Sequence, residues 1–509
     1  MGRLTTRSIG GALAVAIALT AAACGRSSSG RARDGGGTDD AGVVAPAIPV
    51  ALRTLGKAAL DEYGWRSGPG QAAFDRALAA ERAGDLPTIE REASAALAAD
   101  PGHLEAAWVA AVARARLGRH DQVLAALEIA AAGDWGKWGE RSLELAALGE
   151  FRATPAGRGW VDAAEPYRAA VATALARAIV VIGRSPSAAG PRGRPTAELY
   201  AVDLAEARWI RLTRTGGTLA GALPAGAAPL VAYVAHRPVA RARSGTVIPE
   251  VRIGVVDLAT GRASREVALR EVRELTLAWR LRAGEPHLEA AWLPGTGKKR
   301  ATAIDWQHGK ALPIDKPQPM RGARLALDAQ TAALRRLPIA GVTADWDDRG
   351  TASAIRLDQT GKVVAAPDGA LIDGDSVALA PDGARLVFAV AAEPPCGADD
   401  DRRLYLAEVA TGRVRKLAAG AVSSGLWLDA DRLAFVDGDA VTIAIAATGK
   451  PTATVSGGAG VTTTAVGAPR RCDPPPPPFV DLPLELEPEP EVDGDHSPDA
   501  GPTSLQSAE

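Results

Sequence analysis

Between Gln71 and Ala174 apolar residues recur at helical spacing, in a stretch rich in Ala, Leu, Arg and Glu with Gly breaks, and this pattern predicts helices throughout. After Ala178-Ile-Val-Val-Ile182 the texture changes to short apolar runs, paired turn residues and Pro/Gly breaks, which predicts strands. The chain therefore reads as a multidomain α plus all-β protein. A short α-helical repeat array occupies 46–174 and an all-β domain occupies 175–470.

Both parts repeat. Arg82-Ala-Gly84-Asp and Arg116-Leu-Gly118-Arg stand 34 residues apart, as do Asp100-Pro101 and Asp134-Trp135. Gly84 and Gly118 would let two antiparallel helices approach at their turn, Asp100-Pro101 would stop one pair before the next, and Ala95 and Ala98 would allow close packing. With its period of 34, this stretch of about 100 residues resembles tetratricopeptide repeats. A third unit, through Leu148-Gly149 and Trp160, falls out of register, and a generic alanine-rich helical bundle is the alternative.

In the β region one unit recurs, an apolar strand followed by a polar turn that often reads Thr-Gly. Its members are Leu199–Asp203, Ile253–Asp257 before Gly261, Ala303–Asp305 before Gly309, Ala354–Asp358 before Gly361, Leu404–Glu408 before Gly412, and Ile443–Ile445 before Gly449. Glu206 is taken to fill the Gly position of the first. Six units of about 50 residues predict a six-bladed β-propeller. A Gly after Thr suits a hairpin that needs positive φ. In Ser376-Val-Ala-Leu-Ala-Pro381-Asp382-Gly383-Ala-Arg-Leu-Val-Phe388, Pro381 presets and Gly383 completes a turn between two apolar strands. With Leu404-Tyr405 and Thr411-Gly412, this segment resembles the blade repeat of TolB-type propellers. That resemblance implies a periplasmic propeller that docks on envelope proteins. The helical domain ahead of it departs from the α/β domain usual there, so specific TolB partners are not carried over. Val461–Val466 pairing beside Ile179–Ile182 would cover the edge strands that an open array exposes. The six Trp from Trp209 to Trp427 are read as core.

The two ends have their own chemistry. Arg3 and Arg7, an 11-residue apolar run from Ile9 to Leu19 and Ala21-Ala22-Ala23-Cys24 follow the order of a secretory signal peptide, 1–23, and the run is shorter than the ~20 residues of a spanning helix. Small residues ending at a Cys resemble the lipobox of bacterial lipoproteins, in which Cys24 is acylated. Ala21 departs from the usual Leu, which leaves an ordinary cut after Ala23 as the alternative. Residues 24–45 are a polar, Gly-rich tether. The composition of 471–509, with Pro474–Pro478 and Glu485–Glu491, predicts an extended, disordered tail. From Asp473 to Glu509 there are ten acidic residues and no Lys or Arg, so a formal charge of −2 conceals about +8 before the tail. Spread over 472 residues, that excess forms no dense basic patch, which argues against nucleic acid. Cys396 and Cys472 are expected to form a disulfide in an oxidising compartment, closing a loop worth roughly 4 kcal/mol; a zinc site lacks nearby ligands.

No catalytic constellation stands out: neither His-Glu-x-x-His nor Gly-x-Ser-x-Gly occurs. Gly295-Thr-Gly297-Lys298 lacks the leading Gly and the Ser/Thr of a phosphate loop, and Asp345-Trp-Asp347 begins like a calcium loop but continues with Arg349 and Arg356 at ligand positions. The six His are scattered. The 37 residues after Cys472 leave no room for the hydrolase domain that accompanies propellers in prolyl-oligopeptidase-like peptidases. The sequence thus predicts an exported, membrane-anchored lipoprotein of the bacterial envelope, a scaffold for envelope proteins or peptides without cofactor, metal or catalysis. A channel-site enzyme or small-molecule sensor is the rival.

Overall fold

A computed structural model describes residues 45, 47–54, 69–185, 196–215, 218–225, 228–241, 247–294, 297–314, 324–328, 333–337, 341–347, 351–391, 402–419, 422, 425–437, 440–456 and 462–465. The expectations for the signal peptide, Cys24, Cys396, Cys472 and the acidic tail lie outside the described residues.

The N-terminal part is a helical layer of α1 (Gln71–Arg82), α2 (Leu86–Ala99), α3 (Leu104–Arg116), α4 (Val123–Gly133), α5 (Trp135–Glu144), α6 (Gly149–Ala153) and α7 (Pro155–Ala176). Each of the first four packs on the next. The 34-residue period is physical. Buried residues recur along it: Phe74 and Trp108, Ala77 and Ala111, Ile89 and Val123, Ala93 and Leu127, Ala96 and Ala130. So does the helix ending. At Gly84 the N–H groups of Gly84 and Asp85 return to the carbonyls of Glu81 and Ala80, and at Gly118 those of Gly118 and Arg119 return to Ala115 and Arg114. Both pairs close a Schellman motif, which requires a left-handed residue, and the two glycines have φ of 70° and 72°. Asp100 and Asp134 end α2 and α4 in matching extended conformations.

The rest of the described chain forms six antiparallel sheets. Sheet 1 holds β1 (Ala178–Ser185), β2 (Thr196–Asp203) and β3 (Arg208–Arg211). Sheet 2 holds β4 (Leu219–Pro224), β5 (Leu230–Arg241), β6 (Val247–Asp257) and β7 (Arg262–Ala263), with β8 (Val267–Leu269) also on β6. Sheet 3 runs β9 (Val272–Arg282), β10 (Glu285–Pro294), β11 (Arg300–Asp305) and β12 (Lys310–Pro313), with the hairpin β13 (Arg324–Asp328) and β14 (Ala333–Leu337) on the other edge of β9. In sheet 4, β15 (Val342–Thr343) precedes β17 (Ala354–Leu357) and β18 (Val363–Ala365). Sheet 5 orders β16 (Thr351–Ala352), β19 (Leu371–Leu379), β20 (Arg385–Ala391), β21 (Arg403–Glu408) and β22 (Val414–Ala419). Sheet 6 is β23 (Leu426–Trp427), β24 (Arg432–Asp437), β25 (Ala440–Ile445) and β26 (Pro451–Ser456). The last strand, β27 (Thr462–Ala465), returns to sheet 1 and pairs with β1 from Arg184 to Val181, beside the segment named from sequence.

Each of the six sequence units falls in a different sheet, on the strand that precedes its outermost hairpin. Four of these hairpins share one hydrogen-bond set. The N–H of Gly261, Gly361, Gly412 and Gly449 returns to the carbonyl four residues earlier at 2.7–2.8 Å. The hydroxyls of Thr260, Thr360, Thr411 and Thr448 accept the N–H two residues later at 3.1–3.4 Å. In sheet 3 His308 takes the place of Thr and binds Asp305 through Nδ1 at 2.9 Å. The first unit corrects the expectation for Glu206: it is Ala207 that adopts φ 50°, in the Gly position, while Glu206 occupies that of Thr. Pro381-Asp382-Gly383 closes the β19–β20 hairpin, the Gly383 N–H reaching the Ala380 carbonyl at 2.9 Å and Asp382 accepting the Ala384 N–H.

Neighbouring sheets are latched by indoles. Trp279 on β9 donates to the Leu223 carbonyl of sheet 2 at 2.8 Å, and Trp427 on β23 donates to the Ala378 carbonyl of sheet 5 at 2.9 Å. Trp209 is fully buried, stacked edge-on against Tyr200. The β13–β14 hairpin lies against β4 and β19 as well as β9, so backbone from one segment meets three sheets.

These turns carry unequal penalties for a side chain. A methyl group added at Gly361 would meet nothing within 4 Å, whereas at Gly261 a β-carbon would lie 2.9 Å from Leu175 Cδ1 of α7. Gly361→Ala should therefore lose only the conformational term, ~1 kcal/mol, and Gly261→Ala about 1–3 kcal/mol more from overpacking. Ala207→Gly should gain up to ~1 kcal/mol. Denaturant midpoints of the three variants test this ranking, and equal losses at Gly261 and Gly361 would refute it.

His103 supplies a second test. It is fully buried at the N-terminus of α3, where its Nδ1 accepts the Ala106 N–H at 3.2 Å, and burial pushes its pKa from 6.5 down to about 3. The unfolded chain therefore binds a proton that the folded chain refuses, so this contribution to stability is complete above pH 6.5 and is lost as pH falls toward 3, by up to ~1.4 kcal/mol per pH unit. His103→Asn keeps a capping acceptor, and its stability should fall less steeply over that range.

Candidate functional site

The helical layer and the first two sheets share one hydrophobic core, in which Trp135, Tyr167 and Val171 join Leu199, Leu212, Val231 and Val256. Charged groups are concentrated along this seam. Asp134 ends α4 and caps α5, accepting the Lys137 N–H at 3.2 Å. The same carboxylate takes both Nε and Nη2 of Arg214, just beyond β3, with the Nε contact at 3.1 Å. Asp134 is nearly buried, so this bidentate pair works in reduced water.

Two further pairs flank it. Glu140 on α5 accepts from Arg168 of α7 at 2.7 Å and is paired with Arg262 in the sheet 2 turn. The Arg168 hydrogen bonds, with Arg262 adding to them, hold the Glu140 pKa down to about 2. Its folded value lies below its unfolded 4.5, so the stabilisation is complete above that pH and is lost progressively as pH falls from 4.5 through about 2. Arg177, at the end of α7, binds both oxygens of the fully buried Asp203 at 2.8 and 2.9 Å, and Asp203 opens the sheet 1 turn. Behind these, Glu198 accepts from Arg211 at 3.1 Å and from the Thr213 hydroxyl at 2.6 Å, a buried network that fixes the chain leading to Arg214.

The backbones approach closely where the residues are small. A β-carbon on Gly136 would stand 3.3 Å from the Gly261 carbonyl. The space left between Leu52, Arg53, Trp135, Val171, Ile210 and Arg211 is about 20 Å³. That volume holds one water and no substrate. The arrangement can fix two surfaces relative to each other.

Of the glycines and the Pro-Asp-Gly turn singled out from sequence, Gly261 alone lies in the seam, while Gly84 and Gly118 end helices and Gly361, Gly412, Gly449 and Pro381-Asp382-Gly383 close turns in sheets 4 to 6. Among the described residues, no group of three His, Cys, Asp or Glu could hold a metal ion. Asp347 instead receives the Thr351 N–H and hydroxyl, both at 2.7 Å, as part of a turn. Sequence reasoning marks Asp134 only by its place in the period and misses Arg214, its partner 80 residues on. The available signal is the absence of Pro after Asp134, where Asp100 has Pro101.

No protein-family model and no curated protein matches the chain. Among solved structures it is similar to one from a study of two prolyl endopeptidases (15% identity, TM-score 0.32, 59% of this chain and 55% of that one). It is also similar to the GH74 enzyme of Niastella koreensis (13%, 0.23, 53% and 43%) and to the hydrazine synthase of Kuenenia stuttgartiensis (10%, 0.30, 59% and 48%). The chain spans about half the length of these proteins. Likeness at this level assigns no activity.

The seam should be energetically separable. Asp134→Asn keeps the cap and removes the charge, and should destabilise by about 2 kcal/mol, with Asp134→Ala losing ~1 kcal/mol more. In a double-mutant cycle, Asp134→Asn and Arg214→Gln should couple by at least ~1 kcal/mol. Additive losses in urea unfolding would show that the pair contributes nothing as a pair.

Proposed function

We propose that this chain is an exported envelope lipoprotein that acts as a protein-binding scaffold or assembly factor. The observation that carries the reading is the seam, in which Asp134, Glu140 and Asp203 each take an arginine across or beside the junction of helices and sheets. Two modules of different shape are thereby presented in one fixed geometry. Cys24 carries the lipid, the stretch after it is the tether, and Cys396 and Cys472 form the disulfide. The helical layer is a short tetratricopeptide-like array, and the six sheets are blades of a TolB-like propeller that β27 closes by joining β1.

Helical arrays present grooves to peptides and helices, and propellers present rigid faces. Joining the two on one tethered chain raises affinity for a multi-component complex through effective concentration. The β13–β14 hairpin against sheets 2, 3 and 5 supports binding on a face over binding in a channel. No cofactor is required.

Affinity capture from crosslinked envelopes with the full chain tests the proposal. The wild type should retain a defined set of envelope proteins at least tenfold better than Asp134→Asn/Arg214→Gln, and Cys24→Ala should lose a clickable fatty-acid label and leave the membrane. Equal capture by the seam variant would remove the scaffold argument, and so would a turnover abolished by substitution of one carboxylate or His.

A further inference from the structure

Each outermost hairpin places a basic residue directly after its left-handed position: Arg208, Arg262, Lys310, Lys362, Arg413 and Lys450. In three of these turns the acidic residue folds back on its own loop. Asp257 accepts the Ala259 N–H at 2.8 Å, Asp305 binds His308 at 2.9 Å and Glu408 accepts the Thr411 hydroxyl at 2.9 Å. All of the basic residues except the half-buried Arg208 are exposed.

The turns adjoin between sheets 2 and 3 and again along sheets 4, 5 and 6. A β-carbon on Gly309 would stand 2.8 Å from that of Arg265, the Lys362 ammonium donates to the Ala410 carbonyl, and the Arg415 guanidinium donates to the Ala446 carbonyl. The helical layer covers the start of this face. There Arg177 holds Asp203 and Glu140 takes Arg262. Lys310, Lys362, Arg413 and Lys450 continue the series, and among the described residues none of them has an ion pair within 4.0 Å.

The path of the chain leads there. β27 runs along β1 from Arg184 to Val181, and at that end of β1 Ala178 stands opposite Asp203, where the first of the turns begins. At Ala465, β27 therefore points toward the turn face. The residues from Ala465 to Asp481 can span up to roughly 50 Å, about the breadth of a domain of this size. Beyond Cys472 the sequence has ten acidic residues and no Lys or Arg.

We infer that the acidic segment 473–509 docks in cis on the turn face of sheets 3 to 6, its carboxylates taking Lys310, Lys362, Arg413 and Lys450 as Glu140 takes Arg262. Each exposed pair is weak. Several of them act together because the tether keeps the segment near, and salt weakens them together.

Carbodiimide crosslinking of the full chain, which joins a lysine to a carboxylate only in direct contact, tests the inference. At low salt, links from 473–509 to Lys310, Lys362 and Lys450 should be at least fivefold more abundant than links to Lys298 and Lys299, which lie in a loop at the other end of sheet 3. They should fall to parity in 0.5 M salt, a ~4 Å screening length, and in a variant with Glu485, Glu487, Glu489 and Glu491 all changed to Gln. Links spread evenly over all lysines would overturn the proposal. Links found only between isotopically labelled and unlabelled copies would overturn the cis arrangement, and links unaffected by the Gln variant would show that the acidic run is not the occupant.

Discussion

A carboxylate that must both cap a helix and hold a distant arginine leaves little freedom to anything attached to it. Asp134 is in that position: its Oδ1 accepts from the α5 backbone, and both its oxygens face Arg214. The cap sets the direction in which α5 leaves α4. The arginine sets where that junction sits against sheet 1. Glu140 and Asp203 then have defined places, because α5 delivers the first to Arg262 and the end of α7 delivers Arg177 to the second. Apolar packing around Trp135 and Tyr167, stacked at 4.7 Å, supplies the larger share of the stabilisation, but it is non-directional and would accept neighbouring registers that the ion pairs do not.

Repetition lets the rest of the structure be built from few local rules. Two Schellman endings separated by one period give two equivalent helix pairs. One turn, with a carbonyl accepting from a left-handed glycine and a hydroxyl accepting two residues on, gives the outer hairpins of sheets 2, 4, 5 and 6. Where the sequence breaks the rule the backbone does not. Ala207 adopts the left-handed conformation without being glycine, since β2 and β3 on either side are paired from Tyr200 to Asp203 and fix the loop length.

That contrast explains what is legible in the sequence. Gly84, Gly118 and the Thr-Gly turns are visible because special backbone conformations demand special residues, and a period of such residues exposes the architecture. The reading of Glu206 is off by one residue since an Ala in a strained position carries no mark in sequence. The seam is opaque for a different reason: Asp134 and Arg214 are ordinary residues made important by a contact across 80 positions. The β13–β14 hairpin is hidden too, because Arg324–Leu337 has no Thr-Gly and the strand pattern does not say that it pairs with β9. Trp279 and Trp427 read from sequence as packing residues, and their indole N–H groups, which tie one sheet to the next, depend on carbonyls that no side-chain pattern reports.

The pairing of β27 with β1 also has a consequence in time. Val181 lies opposite Ala465, so the first sheet to be synthesised is among the last to be completed. Until Thr462–Ala465 arrives, the outer edge of β1 exposes unsatisfied backbone donors and acceptors, in a chain whose helices can already have formed from local contacts. A nascent molecule thus carries an open strand edge through most of its synthesis, a state prone to pairing with other chains. The backbone pairing that covers that edge is thus supplied by the last strand of the described chain.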